Sequence, residues 1–308
     1  MPAATRDAFA DALVRLGDDQ RIVVLTGDLR DSTRTEKFQE KYPDRFFDIG
    51  IAEKNMLGIA AGLALSGKIP WACSFSAFVT GRFEVVRVSI AYQEANVRIV
   101  GTHAGIGVGE DGYSQMALED IAAIRALPNV AIVNPGDPIS AERATEYLVE
   151  HQGPAFLRLT RQKVDEVHGD DFRFEFGNAA QVRDGTDVAI LATGAVLPEA
   201  AKAAERLDGE GIAARLLDIH TIKPLDREAV LRAASECGAV VTVEDHSVHG
   251  GLGGAVAEVL ATRDGRAPLR ILGVEGFGES GGSGELYAKH GIDAEGIARS
   301  TREFLNRR

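Results

Sequence analysis

Mostly apolar runs of strand length recur along the first half of the chain, at RIVVLTGD (21–28), PWACSFS (70–76), NVRIVGTHA (96–104), NVAIVNP (129–135) and GPAFLRLT (153–160). They are near-continuous rather than alternating, which is the mark of strands covered on both faces. The segments between them are long enough for crossover helices, so a parallel sheet is predicted. Residues 161–186 break the rhythm with a charged stretch that has no clean apolar period. The alternation then restarts at DVAILATG (187–194), IAARLLDI (212–219), AVVTVED (239–245) and LRILGVEG (269–276). The pattern predicts an α/β protein of two domains, each a mainly parallel sheet flanked by helices, over 1–165 and 187–308 with a linker at 166–186.

Composition narrows the function without naming it. A chain of 308 residues with 45% hydrophobic residues can bury a substantial core. Its formal charge of -12 argues against nucleic acid or an anionic membrane as a bulk partner, since both need a basic surface. An anionic ligand must instead be met by a local cluster of Arg, Lys or His. The two cysteines, Cys73 and Cys237, are far apart in the chain and suit reduced structural thiols, which fits a cytoplasmic setting. The apolar run at 56–65 falls short of the roughly eighteen residues that span a bilayer, and no basic start with an apolar stretch marks a leader peptide.

In open parallel sheets polar residues collect beyond the carboxyl ends of the strands, which directs attention to GDLRDS, SFSAFVTGR, THAGIGVGEDGYSQ and LTRQ. Glu53 stands where GIA gives way to a long apolar helix-forming segment. It reads equally as a first-turn acid facing unpaired N–H groups or as a carboxyl in a partly dry place, suited to sharing a proton. Gly107-x-Gly109-x-x-Gly112 formally matches a dinucleotide fingerprint, but Glu110 and Asp111 would confront a pyrophosphate. Those glycines fit a tightly folded backbone that aims carboxylates, with a polyol as one ligand. His103, Arg161, Arg6 and Ser32 are ordinary surface residues singly and an oxyanion or phosphate clamp together. Phe75 and Phe78 read as core packing, or as a surface for a flat heteroaromatic ring. EDHSVH (244–249) matches no common zinc spacing and reads as structural.

Several pieces in order, TGDL (26–29), RFFDIGIAEKNM (45–56), SFSAFVTGR (74–82), THAGIGVGEDG (102–112), LPNVAIVNPGD (127–137), LTRQ ending at Gln162 and VEDHSVHGGLGGAVAEVL (243–260), make the chain resemble the C-terminal half of transketolase. The resemblance covers nearly the whole chain. It implies a pyrimidine-binding domain followed by the C-terminal domain of a thiamine-diphosphate enzyme. By that likeness Glu53 is the acid that hydrogen-bonds the cofactor's aminopyrimidine, promoting the imino tautomer that removes the thiazolium C2 proton to give the ylid. Phe75 and Phe78 match the aromatic residues against that ring, while Gly81 stands where a Tyr is common. Asp28 and Arg82 fall on the cofactor side of the pattern.

The same resemblance assigns Arg6, Ser32, His103 and Arg161 to sugar-phosphate binding, with His103 also among the catalytic residues, and Asp111 to a substrate hydroxyl. Gln115 replaces an imidazole that normally faces the donor ketose. It can exchange hydrogen bonds but cannot carry a proton as imidazolium, which opens the identity of the donor. No GDG followed by a distant Asn, the family's diphosphate and magnesium motif, occurs in the chain. The implied architecture is a split transketolase in which a partner subunit brings the diphosphate site and Mg2+, as a heterotetramer with two copies of each. A deoxyxylulose-phosphate-synthase-like or 2-oxo-acid enzyme subunit, and a non-catalytic subunit of the same fold, are the rival expectations.

Overall fold

The computed structural model describes residues 2–262 and 267–307. In the first half the apolar runs form the strands expected of them, β1 (Ile22–Thr26), β3 (Ile69–Phe75), β4 (Arg98–Thr102), β5 (Ala131–Val133) and β6 (Ala155–Arg158), and a short further strand, β2 (Phe46–Asp48), joins them. The second half contributes β7 (Ala180–Arg183), β8 (Val188–Thr193), β9 (Ala214–Asp218), β10 (Thr221–Lys223), β11 (Val240–Ser247) and β12 (Leu269–Val274). The larger sheet has seven strands in the order β10-β5-β6-β4-β3-β1-β2, parallel except at β10. The smaller has five, ordered β12-β11-β8-β9-β7, parallel except at β7.

Each sheet is covered on both faces, which is why its strands carry apolar side chains at consecutive positions. In β1, Ile22 and Val24 pack with Phe9 and Leu13 of helix Thr5–Leu16 and Leu148 of helix Pro138–Glu150. The alternate residues Val23 and Leu25 face Met56, Leu57 and Ala60 of helix Glu53–Leu65. In β8, Val188 and Ile190 face helix Leu197–Gly209, whereas Ala189 and Leu191 face helices Arg227–Glu236 and Leu252–Leu260. No helix among the described residues is long and apolar enough to cross a membrane. Cys73 and Cys237 are buried and free.

The structure departs from the expected division in two places. Residues 166–186, read as a linker, contain strand β7, which closes one edge of the smaller sheet antiparallel to β9. Being a half-exposed edge strand, it lacks the continuous apolar run that marked the others. In addition β10, from the second half of the sequence, pairs antiparallel with β5 and becomes an edge of the first sheet. Three residues, separated from the end of β9 by two positions, gave no periodic signal of their own.

Candidate active site

The carboxyl ends of the adjacent strands β1, β3 and β4 lie side by side, and the polar loops converge there. Phe75, the last residue of β3, is registered with Thr102, the last of β4, so His103 follows directly beside it. The His103 ring stacks on Phe75 with centroids 3.7 Å apart, and Phe75 stacks on Phe78 at 5.2 Å. Three flat rings therefore form one continuous wall. His103 is a non-glycine residue at φ +55°, a left-handed backbone that costs on the order of 1–3 kcal/mol and persists where surrounding contacts enforce it. Asp28, at φ +63°, is a second such residue.

Glu53 is the first residue of its helix, with only 4% of its surface exposed. Among the described residues its carboxylate accepts one hydrogen bond, from Ser74 Oγ at 3.1 Å. Ser74 immediately precedes Phe75, so the buried acid and the aromatic wall hang from one strand end. Gly27, just after β1, runs close against the acid. A Cβ on it would lie 3.2 Å from Glu53 Oε1 and 3.3 Å from the Gly50 carbonyl, closing the space in front of the acid. Asp48 organises the same corner by accepting from the backbone N–H groups of Asp28 at 2.9 Å and Gly50 at 3.0 Å.

A basic cluster adjoins the far end of the wall. A two-residue antiparallel pairing of Ala3–Ala4 with Lys163–Val164, reinforced by Thr160 N donating to Thr5 Oγ1 at 2.8 Å, brings Arg6 beside the strand end that carries Arg161. Arg6 Nη1 donates to the Ser32 carbonyl at 2.7 Å and lies 3.1 Å from His103 Nε2. Since a guanidinium only donates, Nε2 accepts and the imidazole proton sits on Nδ1, donated to Thr102 Oγ1 at 2.9 Å. Burial first, then the positive charges of Arg6 and Arg161, pull the His103 pKa down to about 3, so the ring is neutral at physiological pH. Arg6 Nε is buried with no hydrogen-bond partner among the described residues. A half-buried cation whose enclosed Nε has an unused donor is chemically set to receive an anion.

Arg161 Nη1 pairs with Asp111 Oδ2 at 2.6 Å, both side chains being more than a third exposed, so the pair contributes little to stability. The structure thus joins Glu53, Phe75, Phe78, His103 and Arg6 in one continuous run, with Arg161 and Asp111 beside it. Ser32 enters through its carbonyl and not its hydroxyl. Among the described residues the Gln115 side chain bonds only its neighbour Ser114, Nε2 to Oγ at 3.3 Å. Asp28 and Arg82 are exposed and bond none of the other candidates through their side chains, among the described residues.

The chain matches the family description "Transketolase, pyrimidine binding domain" over residues 1–166 and "Transketolase, C-terminal domain" over 177–297. The chain belongs to the transketolase family. It is 42% identical, over 98% of its own length and 96% of the other, to a putative transketolase C-terminal section of Methanocaldococcus jannaschii. It is also 42% identical, over 98% and 95%, to the 6-deoxy-6-sulfo-D-fructose transketolase subunit of a Clostridium species. A solved structure described as a split-gene transketolase, inactive β4 tetramer, superposes with a TM-score of 0.91 at 43% identity, covering 98% of both chains. Against human transketolase the chain spans 49% of the longer protein.

Membership of the transketolase family implies thiamine diphosphate, and the residues present fit its pyrimidine end. They offer an enclosed acid with a single internal bond, a flat aromatic wall beside it, and a glycine where a side chain would intrude. Sequence reasoning named the acid and the rings but missed Ser74 and Asp48, although both lie inside the motifs that it quoted. Nothing in a linear motif separates a residue that orients the acid from one that merely completes a strand. It read EDHSVH as structural, and there Glu244 accepts from Leu252 N at 2.7 Å and Gly253 N at 2.8 Å, closing the start of helix Leu252–Leu260.

Proposed function

We propose that this chain is the C-terminal, pyrimidine-binding subunit of a two-component transketolase. With a separate subunit that carries the diphosphate site and its Mg2+, it moves a two-carbon ketol unit from a ketose phosphate to an aldose phosphate. Two copies of each subunit form the working particle, in the cytoplasm. Near-complete coverage of subunit-sized relatives, against half coverage of human transketolase, supports the missing partner. The buried Glu53, bonded only through Ser74 next to the ring-bearing strand end among the described residues, carries the catalytic part of the reading.

Thiamine diphosphate supplies, when bound, the nucleophilic carbon that takes up the ketol unit. Glu53, enclosed where bulk water does not reach, would hydrogen-bond the pyrimidine ring nitrogen. Phe75 and Phe78 bind the ring's face. Arg6 and Arg161 hold the sugar phosphate, with neutral His103 fixing the direction of Arg6 and serving the reaction at the junction of the two subsites. Asp111 accepts from a sugar hydroxyl. Asp28 and Arg82 remain exposed, as groups contributed to a cofactor shared with a second subunit are before it docks. Residues 1–165, with β10 added at the sheet edge, serve as the pyrimidine-binding unit, and residues 187–308, with the edge strand β7, as the C-terminal unit.

Gln115 in place of an imidazole favours a donor other than the family's usual one, so pyruvate belongs beside hydroxylated ketoses in any substrate panel. The test is reconstitution. The chain alone should show no transfer, and the purified pair should move two carbons between a ketose phosphate and an aldose. Transfer by the isolated chain, or none by the pair with any donor, would sink the reading.

A further inference from the structure

We infer that the C-terminal domain is the brace that sets the substrate loop, with Asp245 and Tyr287 as positioning residues acting through the Asp111–Arg161 pair. This deepens the functional reading above and rests on it for its consequence in catalysis. Asp245, fully buried near the end of β11, accepts from the backbone N–H of Ile106 at 2.7 Å and, more weakly, from that of Gly107 at 3.4 Å. Its second oxygen also accepts from Tyr287 OH at 2.8 Å. Tyr287 OH in turn accepts from Gln162 Nε2 at 2.5 Å. Gln162 follows Arg161 directly, and Ile106 and Gly107 open the turn that ends at Asp111. One carboxylate and one phenol from the second domain therefore hold both arms of the substrate pair.

The rest of the loop is fixed from the same side. Ser283 Oγ donates to the Gly107 carbonyl at 2.8 Å. Ile106, Val108 and Met116 are buried within the core of the second domain, among Val188, Val243 and Leu286, and not in that of their own. Arg158 locks the base by donating to the Asp245 carbonyl at 2.8 Å and to the Ala117 carbonyl at 3.1 Å. The glycines answer this contact. Gly105, at φ +83°, passes so close to Asp245 that a Cβ would lie 2.1 Å from Oδ2, and a Cβ on Gly107 would overlap the Gln162 amide. A half-exposed ion pair is weak and mobile on its own. Anchoring both of its backbones to a packed core fixes the distance at which Asp111 and Arg161 meet a sugar phosphate, and placement within a fraction of an ångström governs productive binding.

Hydrogen exchange and steady-state kinetics on the assembled pair test this, using Asp245→Asn, Tyr287→Phe and Ser283→Ala. Asp245→Asn turns an acceptor toward Gly107 N–H and Tyr287 OH into a donor, and Tyr287→Phe is the milder cut should the first fail to fold. Amides 105–112 should exchange about tenfold faster while helix Leu252–Leu260 is unchanged. With fructose 6-phosphate as donor, KM should rise about tenfold with kcat altered less than about threefold, because the cofactor end around Glu53 is untouched. Unchanged exchange in 105–112, or an equal loss in kcat for every donor tracking a lowered thermal midpoint, would overturn the inference. A pair that transfers from no donor in its native form would condemn the functional reading instead. The exchange result would then still decide the brace.

Discussion

Glu53 and Glu244 are both buried glutamates at the start of a helix, one in each domain, and they are bonded in opposite ways. Glu244 reaches from a strand and spends its two oxygens on Leu252 N and Gly253 N, as a side chain closing a helix end does. Glu53 sits on its own helix and, among the described residues, accepts only from Ser74. Burial is alike in the two, at 4% and 0% exposed, so burial alone does not separate an acid kept for chemistry from one kept for structure. The unspent bonding capacity does. The same contrast holds between the surroundings of the two acids. Around Arg6 and Glu53 polar atoms are left unpaired or singly paired, whereas the acids at the end of β11 are consumed by backbone N–H groups.

The largest expected effect tests that contrast directly. Glu53→Gln should lower turnover of the assembled pair by at least about a hundredfold, with the thermal midpoint of the chain almost unmoved. Turnover within a few-fold of the native pair would make Glu53 a structural acid like its counterpart. Next in size, Arg6→Ala should raise KM for a phosphorylated substrate about ten- to a hundredfold and leave an unphosphorylated one nearly unaffected. Equal changes for both would remove the phosphate from the basic cluster.

The reciprocal substitution, Glu244→Ala, should cost about 1–3 kcal/mol in denaturant unfolding by stripping two helix N–H groups of their acceptor, while kcat in the pair stays within about twofold. A large kinetic defect without loss of stability would erase the distinction. The smallest effect is in pH. Burial lifts Glu244 to about 7 from the usual 4.5, against the opposing pull of its backbone donors and Arg158. The folded state therefore binds this proton more tightly than the unfolded one, and the contribution is full below pH 4.5 and lost as pH rises through 7. Thermal midpoints across pH 5 to 8 should fall more for the native chain than for Glu244→Gln. Parallel curves would mean that the acid is ionised throughout.

Most of this was legible in the sequence because buried parallel strands write themselves as unbroken apolar runs. The loops after β1, β3 and β4 keep their chemistry within a few residues of those runs. That is how Phe75 and His103 were found, as was Arg161 just past β6, whereas Glu53 was found from the apolar helix it opens. What stayed hidden were the pairings that join distant segments. Asp245 meets Gly107 across 138 positions, and Ser74 meets Glu53 across 21. The Arg6 contact to the Ser32 carbonyl was hidden as well, because any residue offers a carbonyl and the side chain gives no hint of its use. Strands β2, β7 and β10 were missed for a simpler reason. At three or four residues, on sheet edges, they are too short to show a period.

Strand β10 joins the sheet of the first domain although it is encoded after β9 of the second. A protease that nicked the charged connection between the domains would therefore release nothing. The fragments would stay stitched through Thr221–Lys223 and migrate as one particle until denatured. Expressed by itself, the first domain would present the bare rim of β5 to any passing strand, so a soluble pyrimidine-binding fragment is best sought by carrying those three residues along.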